Sequence, residues 1–384
     1  MAGVFTTGAS RTARAGEAAA AWRHVDWALA VTVLITSAFG VLMVYSATQN
    51  RLTLEGGDPT QFLKRQAIFV VIGLCVMAAA IAIDYRILRD FGPLLLAATC
   101  GVLVLVLSPL GSTSRGTQAW FQLGPFQLQP SEFAKVALIV ALAGFCAERR
   151  GELDAQNLLK AVGLAAIPIG LIYLQPDLGS SLVLVAITAG VLLVGGARPR
   201  HMAALVLVAA VGVFAVIQLG ILKEYQLDRL GAFLDPESDT QCSIYNLNQS
   251  KIAIGAGGLT GRGLFEGTQT NLSYVPEQHT DFIFTVVGEE LGLVGGAALL
   301  LAFSVMVWRI WRAAALAKDL SGTLICVGVL AMLMFQIFEN IGMTMGIMPV
   351  TGIPLPFMSS GGSSTIAAFA AVGLVLNVHM RRFS

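Results

Sequence analysis

Charge is scarce in this 384-residue chain. Asp, Glu, Lys and Arg make up 12% of it, about half the share of an ordinary soluble domain. That deficit excludes a solvated globular surface, and the chain carries no nucleic-acid-binding signature; its formal net charge of +1 hides the informative quantity, which is where the basic residues fall. Cysteine is equally uninformative as a staple. Cys75, Cys100, Cys146 and Cys326 lie in apolar stretches and leave Cys242 alone in a polar one, so no disulfide framework follows. His24, His201, His279 and His379 are scattered without ligand spacing, which argues against a zinc site. The glycine-rich stretch from Gly255 to Gly263 has Ala256 and Arg262 where a phosphate loop needs Gly and Lys, so nucleotide-driven pumping is set aside. No internal repeat is strong enough to indicate an inverted-repeat transporter.

Hydrophobic residues are abundant: 56% of the chain, with a mean hydropathy of +0.76, arranged in blocks of membrane-spanning length. The chain therefore reads as an all-α polytopic membrane protein with ten transmembrane helices. The spans run Trp27 to Ala47, Gln66 to Ile83, Phe91 to Leu110, Ser131 to Ala147, Leu158 to Leu174, Leu178 to Gly195, His201 to Leu219, Phe282 to Trp308, Leu324 to Ile347 and Ser363 to His379. Residues 1–24, rich in Ala, Gly and Thr, read as a disordered cytoplasmic tail, and 25–384 as one membrane domain. The first span is a retained anchor, since it lacks a small-residue cleavage site. Placing that tail inside assigns fifteen of the 24 Lys and Arg to the cytoplasm. Five of the eight outer ones fall in long or re-entrant loops, where the bias is weak, so the reading is N-in and C-in.

Three segments on the outer side break the pattern of short connections. Gly111 to Pro130 mixes Arg115, Trp120, Phe121 and Phe126 with Gly and Gln, as a segment lying in or dipping into the interface does. Pro349 to Gly362 has Pro and Gly but no charge, so at membrane depth it must be buried or line a wet cavity. Between spans 7 and 8, residues 220–280 form a large extracytoplasmic loop, long enough to carry short helices of its own.

Asp281 closes that loop where the chain re-enters hydrocarbon as Phe282, Ile283 and Phe284. Free backbone N–H groups would stabilise its charge and the phenylalanines would oppose it, which keeps an acid usable as a base. The plainer alternative is a helix N-cap. Glu289 and Glu290 follow at about 12 Å along the helix and need partners, either as structural acceptors or as a proton relay. Glu132 and Lys135, spaced i, i+3, can neutralise each other as a structural ion pair. Alternatively, Lys135 or Arg115 receives a phosphate. Asp177 reads as a helix cap.

These residues together resemble the shape, elongation, division and sporulation (SEDS) family. The resemblance rests on Gln129-Pro130-Ser131-Glu132 with Lys135, Gln175-Pro176-Asp177-Leu178-Gly179, Pro276 through Phe284 with Gly288-Glu289-Glu290-Leu291-Gly292, and Asn340 through Gly362. It covers about Asp26 to Arg382. Pro349 to Phe357, the short tails and Asn271 to Phe284 are more similar to the elongation (RodA-type) branch than to the division (FtsW-type) branch. Ser360 stands where many relatives carry an aromatic residue.

The resemblance implies a multi-pass enzyme of the bacterial cytoplasmic membrane that polymerises lipid II into β-1,4 glycan strands during cell elongation, with Asp281 as catalytic base. Trp120, Glu132, Lys135 and Glu277 match positions tied to function or stability. His279 lies beside the acid. Arg115, Lys135, Lys251 and Arg262 are candidate cations for the departing pyrophosphate, alone or with a divalent cation such as Mg²⁺ or Mn²⁺. A Ser-x-x-Lys followed by Lys-Thr-Gly is missing, so cross-linking falls to another protein. The implied partners are a class B penicillin-binding protein, elongation-complex membrane proteins and the actin-like cytoskeleton. Competing readings are a flippase for the lipid-linked precursor using Glu289, Glu290 and Glu339, an FtsW-like division polymerase, or a recruitment scaffold.

Overall fold

The computed structural model describes residues 24–114, 117–124, 126–149, 153–218, 242–272 and 274–383. The expected tail lies outside the described residues except for His24, as do Arg115 and the first part of the large loop, 219–241. Each of the ten apolar stretches falls on a helix: α1 (Trp27–Leu54), α2 (Gln61–Ala82), α4 (Gly92–Leu107), α5 (Pro130–Glu148), α6 (Ala155–Leu174), α7 (Leu178–Val194), α8 (Pro199–Gln218), α11 (Ile283–Ala315), α12 (Leu320–Met345) and α13 (Gly362–Met380). Between them lie the short α3 (Tyr85–Asp90) and, within the large loop, α9 (Cys242–Gly257) and α10 (Thr268–Asn271). Among the described residues, seven helices are long and apolar enough to cross a membrane. Two further apolar helices are shorter than these, α4 with 16 residues and α7 with 17, and 16 residues span about 24 Å of a hydrocarbon layer about 30 Å thick.

Burial sorts the bundle into inner and outer helices. In α5 and α13, 78% and 83% of the apolar window is buried against other elements, as expected of helices that are hydrophobic on every face. In α2, α6 and α11 that share is 28%, and their outward faces are apolar as well, the composition of helices solvated by lipid. The helices alternate in direction, so both described termini lie at one end and the junctions 108–130, 175–178, 274–282 and 346–362 lie at the other.

Gly111 to Pro130, expected to lie in or dip into the interface, folds into a three-stranded antiparallel sheet of β1 (Ser112–Ser114), β2 (Thr117–Leu123) and β3 (Phe126–Leu128). The sheet pairs backbone groups that would otherwise be orphaned beside the bundle.

The end that holds the termini is closed by polar bonds. Asn377 donates its amide to the carbonyls of Ala80, Ile81 and Ile83, which the last turn of α2 leaves without partners. Arg309 pairs with Asp26 at 2.6 Å, and Arg381 with Asp84 at 3.3 Å. The Tyr85 hydroxyl donates to Asp319 at 2.8 Å. Burial, then that bond, push the Tyr85 hydroxyl up to about 12. Burial also works against ionised Asp319, but the bonds from the Gly322 N–H, Tyr85 and Ser321 outweigh it and lower its carboxyl below the usual value.

Candidate active site

At the opposite end a cavity of about 450 Å³ opens between the sheet, the starts of α5 and α7, the segment before α11 and the irregular stretch 349–362. Its lining includes Trp120, Glu132, Lys135, Glu277, His279 and Asp281, brought together from parts of the chain up to 161 residues apart. Arg51, Phe62, Arg65, Gln129 and Asp177 join them.

Asp281 sits on this wall, half-buried. The N-cap of α11 is Phe282, and Asp281 is the residue before it. The acid's backbone is tied on two sides. Asn340, buried in α12, donates to the Asp281 carbonyl at 2.8 Å and to the Ile353 carbonyl at 2.7 Å, tying the acid's segment to the stretch opposite. Gly352 has φ of +75°, and a Cβ there would lie 3.5 Å from Asp281 Oδ2, so the carboxylate rests over bare backbone. Glu277, with φ of +59°, makes the turn that carries the acid, its carbonyl accepting from the Thr280 and Asp281 N–H groups. The Ser360 N–H donates to the His279 carbonyl at 2.8 Å, and the His279 ring stands edge-on to Phe62 at 4.7 Å. Phe282, Ile283 and Phe284, which follow the acid in the chain, are buried.

The expected contact between Glu132 and Lys135 is a buried ion pair of 2.6 Å at the base of the cavity. It stands in the first turn of α5, where a carboxylate also meets the positive end of the helix. Asp177 is the N-cap of α7, accepting from the Ser180 N–H at 2.9 Å, and its other oxygen accepts from Gln129 Nε2 at 3.1 Å. Gln66 supports the far wall by donating to the Ser359 carbonyl at 3.1 Å.

Not every predicted cation reaches the cavity. Lys251 lies over Gly346, at the end of α12, where a Cβ on the glycine would come within 2.7 Å of its Nζ. Arg262 donates from Nε to the Ala256 carbonyl at 3.1 Å. Neither lines the site. Arg51 and Arg65 do, although no sequence motif singles them out. Their signal is two basic residues in the first hairpin, at the end opposite the termini. Among the described residues no three His, Cys, Asp or Glu side chains come together as a metal site. The buried acids of the bundle have other partners. Glu289 accepts from α10, Glu290 from Ser46, and Glu339 from Thr351 at 2.6 Å.

The FtsW/RodA/SpoVE family, described as cell cycle proteins, matches residues 26–383. Stage V sporulation protein E of Bacillus subtilis is 38% identical over 92% of this chain and 96% of its own length. A probable peptidoglycan glycosyltransferase FtsW of Trichlorobacter lovleyi is 37% identical over 92% of each. Peptidoglycan glycosyltransferase MrdB of Escherichia coli K12 is 36% identical over 94% of each. Among solved structures, a chain of a peptidoglycan synthase complex that coordinates polymerization and crosslinking superposes with a TM-score of 0.78 at 33% identity, covering 94% of this chain and 99% of that one. The rod shape determining protein RodA of Thermus thermophilus superposes at 0.70 with 32% identity and the same coverage.

Proposed function

Because this chain belongs to the FtsW/RodA/SpoVE family and is a multi-pass membrane peptidoglycan glycosyltransferase, we propose that it polymerises lipid II into β-1,4 glycan strands with Asp281 as general base. Lipid II carries its own leaving group, a polyprenyl pyrophosphate, so the protein's work is positioning, proton removal and stabilisation of departing charge. Asp281 takes the proton of the acceptor's GlcNAc 4-hydroxyl as that oxygen bonds to the anomeric carbon of the donor's MurNAc. The bond from that carbon to the pyrophosphate breaks, its electron pair leaves with phosphate oxygen, and the α-linked donor inverts to a β product. Arg51, Arg65 and Lys135 supply positive charge for the pyrophosphate, and the Trp120 ring offers a flat apolar wall to a sugar or prenyl chain.

The observation that carries this reading is a carboxylate on the wall of a cavity with three cations on its lining, resting over a glycine backbone. The reaction then lies at the outer face of the bacterial cytoplasmic membrane, with ten helices crossing and both termini inside. The alternation of the helices and the excess of Lys and Arg at the termini end support that orientation. A flippase would need its decisive acid near the bilayer midplane. Glu289, Glu290 and Glu339 each hold a neighbouring element instead, which favours the enzyme. Cross-linking falls to a class B penicillin-binding protein partner. The Pro349–Phe357 sequence favours an elongation role, so depletion should round the cells. Filaments would indicate division.

Purified protein, reconstituted with such a partner and labelled lipid II, should make long strands. Asp281→Asn should slow them by about 10² to 10⁴ while lipid II still binds. Strand synthesis by that variant at the unaltered rate refutes the base assignment.

A further inference from the structure

α11 is broken eleven residues beyond Asp281. Gly292 has φ of +63° and ψ of −158°, so Leu293 and Val294 cannot donate to the carbonyls of Glu289 and Glu290 as the helix ladder requires. The glycine-rich stretch after α9 fills both halves of the gap. The Arg262 and Gly263 N–H groups donate to the Glu289 and Glu290 carbonyls, each at 3.0 Å. Leu293 and Val294 donate to the carbonyls of Gly258 and Leu259 at 2.9 and 3.1 Å. The two backbones touch. A Cβ on Gly261 would lie 2.1 Å from the Glu290 carbonyl oxygen, and one on Gly292 would lie 2.3 Å from the Gly261 nitrogen. The glycines are a splice between loop and helix, which accounts for their density without any phosphate.

The Glu289 side chain continues the splice. Fully buried, it accepts on Oε1 from the Gln269 N–H at 2.7 Å and Thr268 Oγ1 at 3.3 Å, and on Oε2 from the Thr270 N–H at 2.9 Å and Thr270 Oγ1 at 2.8 Å. These are the amides that the first turn of α10 leaves without helical partners. From α10 the chain runs directly to the cavity. The Gln269 carbonyl accepts from the Tyr274 N–H at 3.2 Å and from Gln278 Nε2 at 3.4 Å, and Gln278, itself buried, lies between Glu277 and His279. A carboxylate at membrane depth is costly. An amide side chain would hold a turn more cheaply, but accepts on one atom only.

We propose that Glu289 is a positioning residue for glycosyl transfer: it anchors the segment Thr268 to Asp281 to the broken helix and so sets the Asp281 carboxylate at the cavity. The inference rests on the reading of Asp281 as the base. Glu289→Gln leaves one half of the site facing an NH₂ group, so the segment loosens while the bundle stays folded.

Three measurements on the full chain with lipid II test this. Glu289→Gln should lower kcat by about 10- to 100-fold with KM held within about twofold. Hydrogen exchange of the peptides covering 268–281 should quicken while those of α5 and α13 do not change. Should Glu289→Gln fail to fold, Thr270→Val, which removes a single donor, should show the same two effects more weakly. Unchanged exchange in 268–281, or a raised KM with kcat intact, overturns the proposal. The exchange arm does not depend on the chemistry of Asp281. If Asp281→Asn polymerises normally while Glu289→Gln loosens the segment and lowers kcat, the base assignment fails and the anchor stands. If Asp281→Asn is inactive and Glu289→Gln is tight and fast, the reverse holds.

Discussion

Lys135 holds an ammonium at 1% exposure beneath the cavity, and its bond to Glu132 makes that tolerable. Two desolvated charges this close are an exchange of costs, so the pair contributes little net stability while either charge alone is expensive. Lys135→Met, which strands the carboxylate, should therefore destabilise the protein by about 3 to 5 kcal/mol. The double variant Glu132→Leu with Lys135→Met should recover most of it. Thermal unfolding in detergent measures the difference, and equal melting temperatures for the single and double variants contradict the coupling. Both forms should lose strand synthesis, since each removes a cation from the cavity lining. At this scale the sequence was readable where residues act on near neighbours: the spacing of Glu132 and Lys135 puts them on one helix face. Lys251 and Arg262 were candidates by charge and side alone. What draws each of them away from the cavity, the end of α12 in one case and the Ala256 carbonyl in the other, is a tertiary contact that no local pattern carries.

Helices announce themselves here through hydropathy, and their polar overhangs do not. α1 continues through Gln49, Asn50 and Arg51 to Leu54, past the apolar stretch that ends at Ala47, and α2 begins at Gln61, before its apolar run. Those overhangs carry Arg51 and Arg65 over the cavity. A hydropathy window stops where the helix leaves hydrocarbon and leaves both arginines unplaced. The sheet of β1, β2 and β3 escaped for another reason. Two of its strands are three residues long, too short for a period of two to show. The joint between α2, α3 and α12 makes its own prediction. Asp319, whose carboxyl is lowered in the fold, adds stability that is full above its ordinary 3.8 and lost as pH falls through the lower folded value. Tyr85, raised from 10.0 to about 12, adds stability that is full below 10.0 and lost as pH rises toward about 12. Asp319→Asn should flatten the acid limb of a melting-temperature profile, and Tyr85→Phe the alkaline limb. Unaltered limbs contradict the assigned bonds.

The whole molecule separates two tasks by end. At the termini, ion pairs and the Asn377 amide fasten helix ends to one another. At the other end, junctions too irregular to be helix fold against each other, held by side-chain amides of Gln66, Gln129 and Asn340, and leave a polar cavity in an apolar bundle. Asp281 stands at that end, on the wall, with its backbone tied. Ten apolar blocks and the clustering of motifs in the junctions opposite the termini were legible from residues alone, because hydrocarbon tolerates irregular backbone only around a cavity or inside protein. Which motifs meet was not, since the meeting depends on how the helices pack.

The most direct test is the turnover of lipid II by purified Asp281→Ala, with and without added formate. Removing the carboxylate should leave only residual synthesis, and formate entering the vacated space should restore part of the rate as a replacement base. Asp281→Ala turning over lipid II as fast as the unaltered protein, with formate making no difference, contradicts the account.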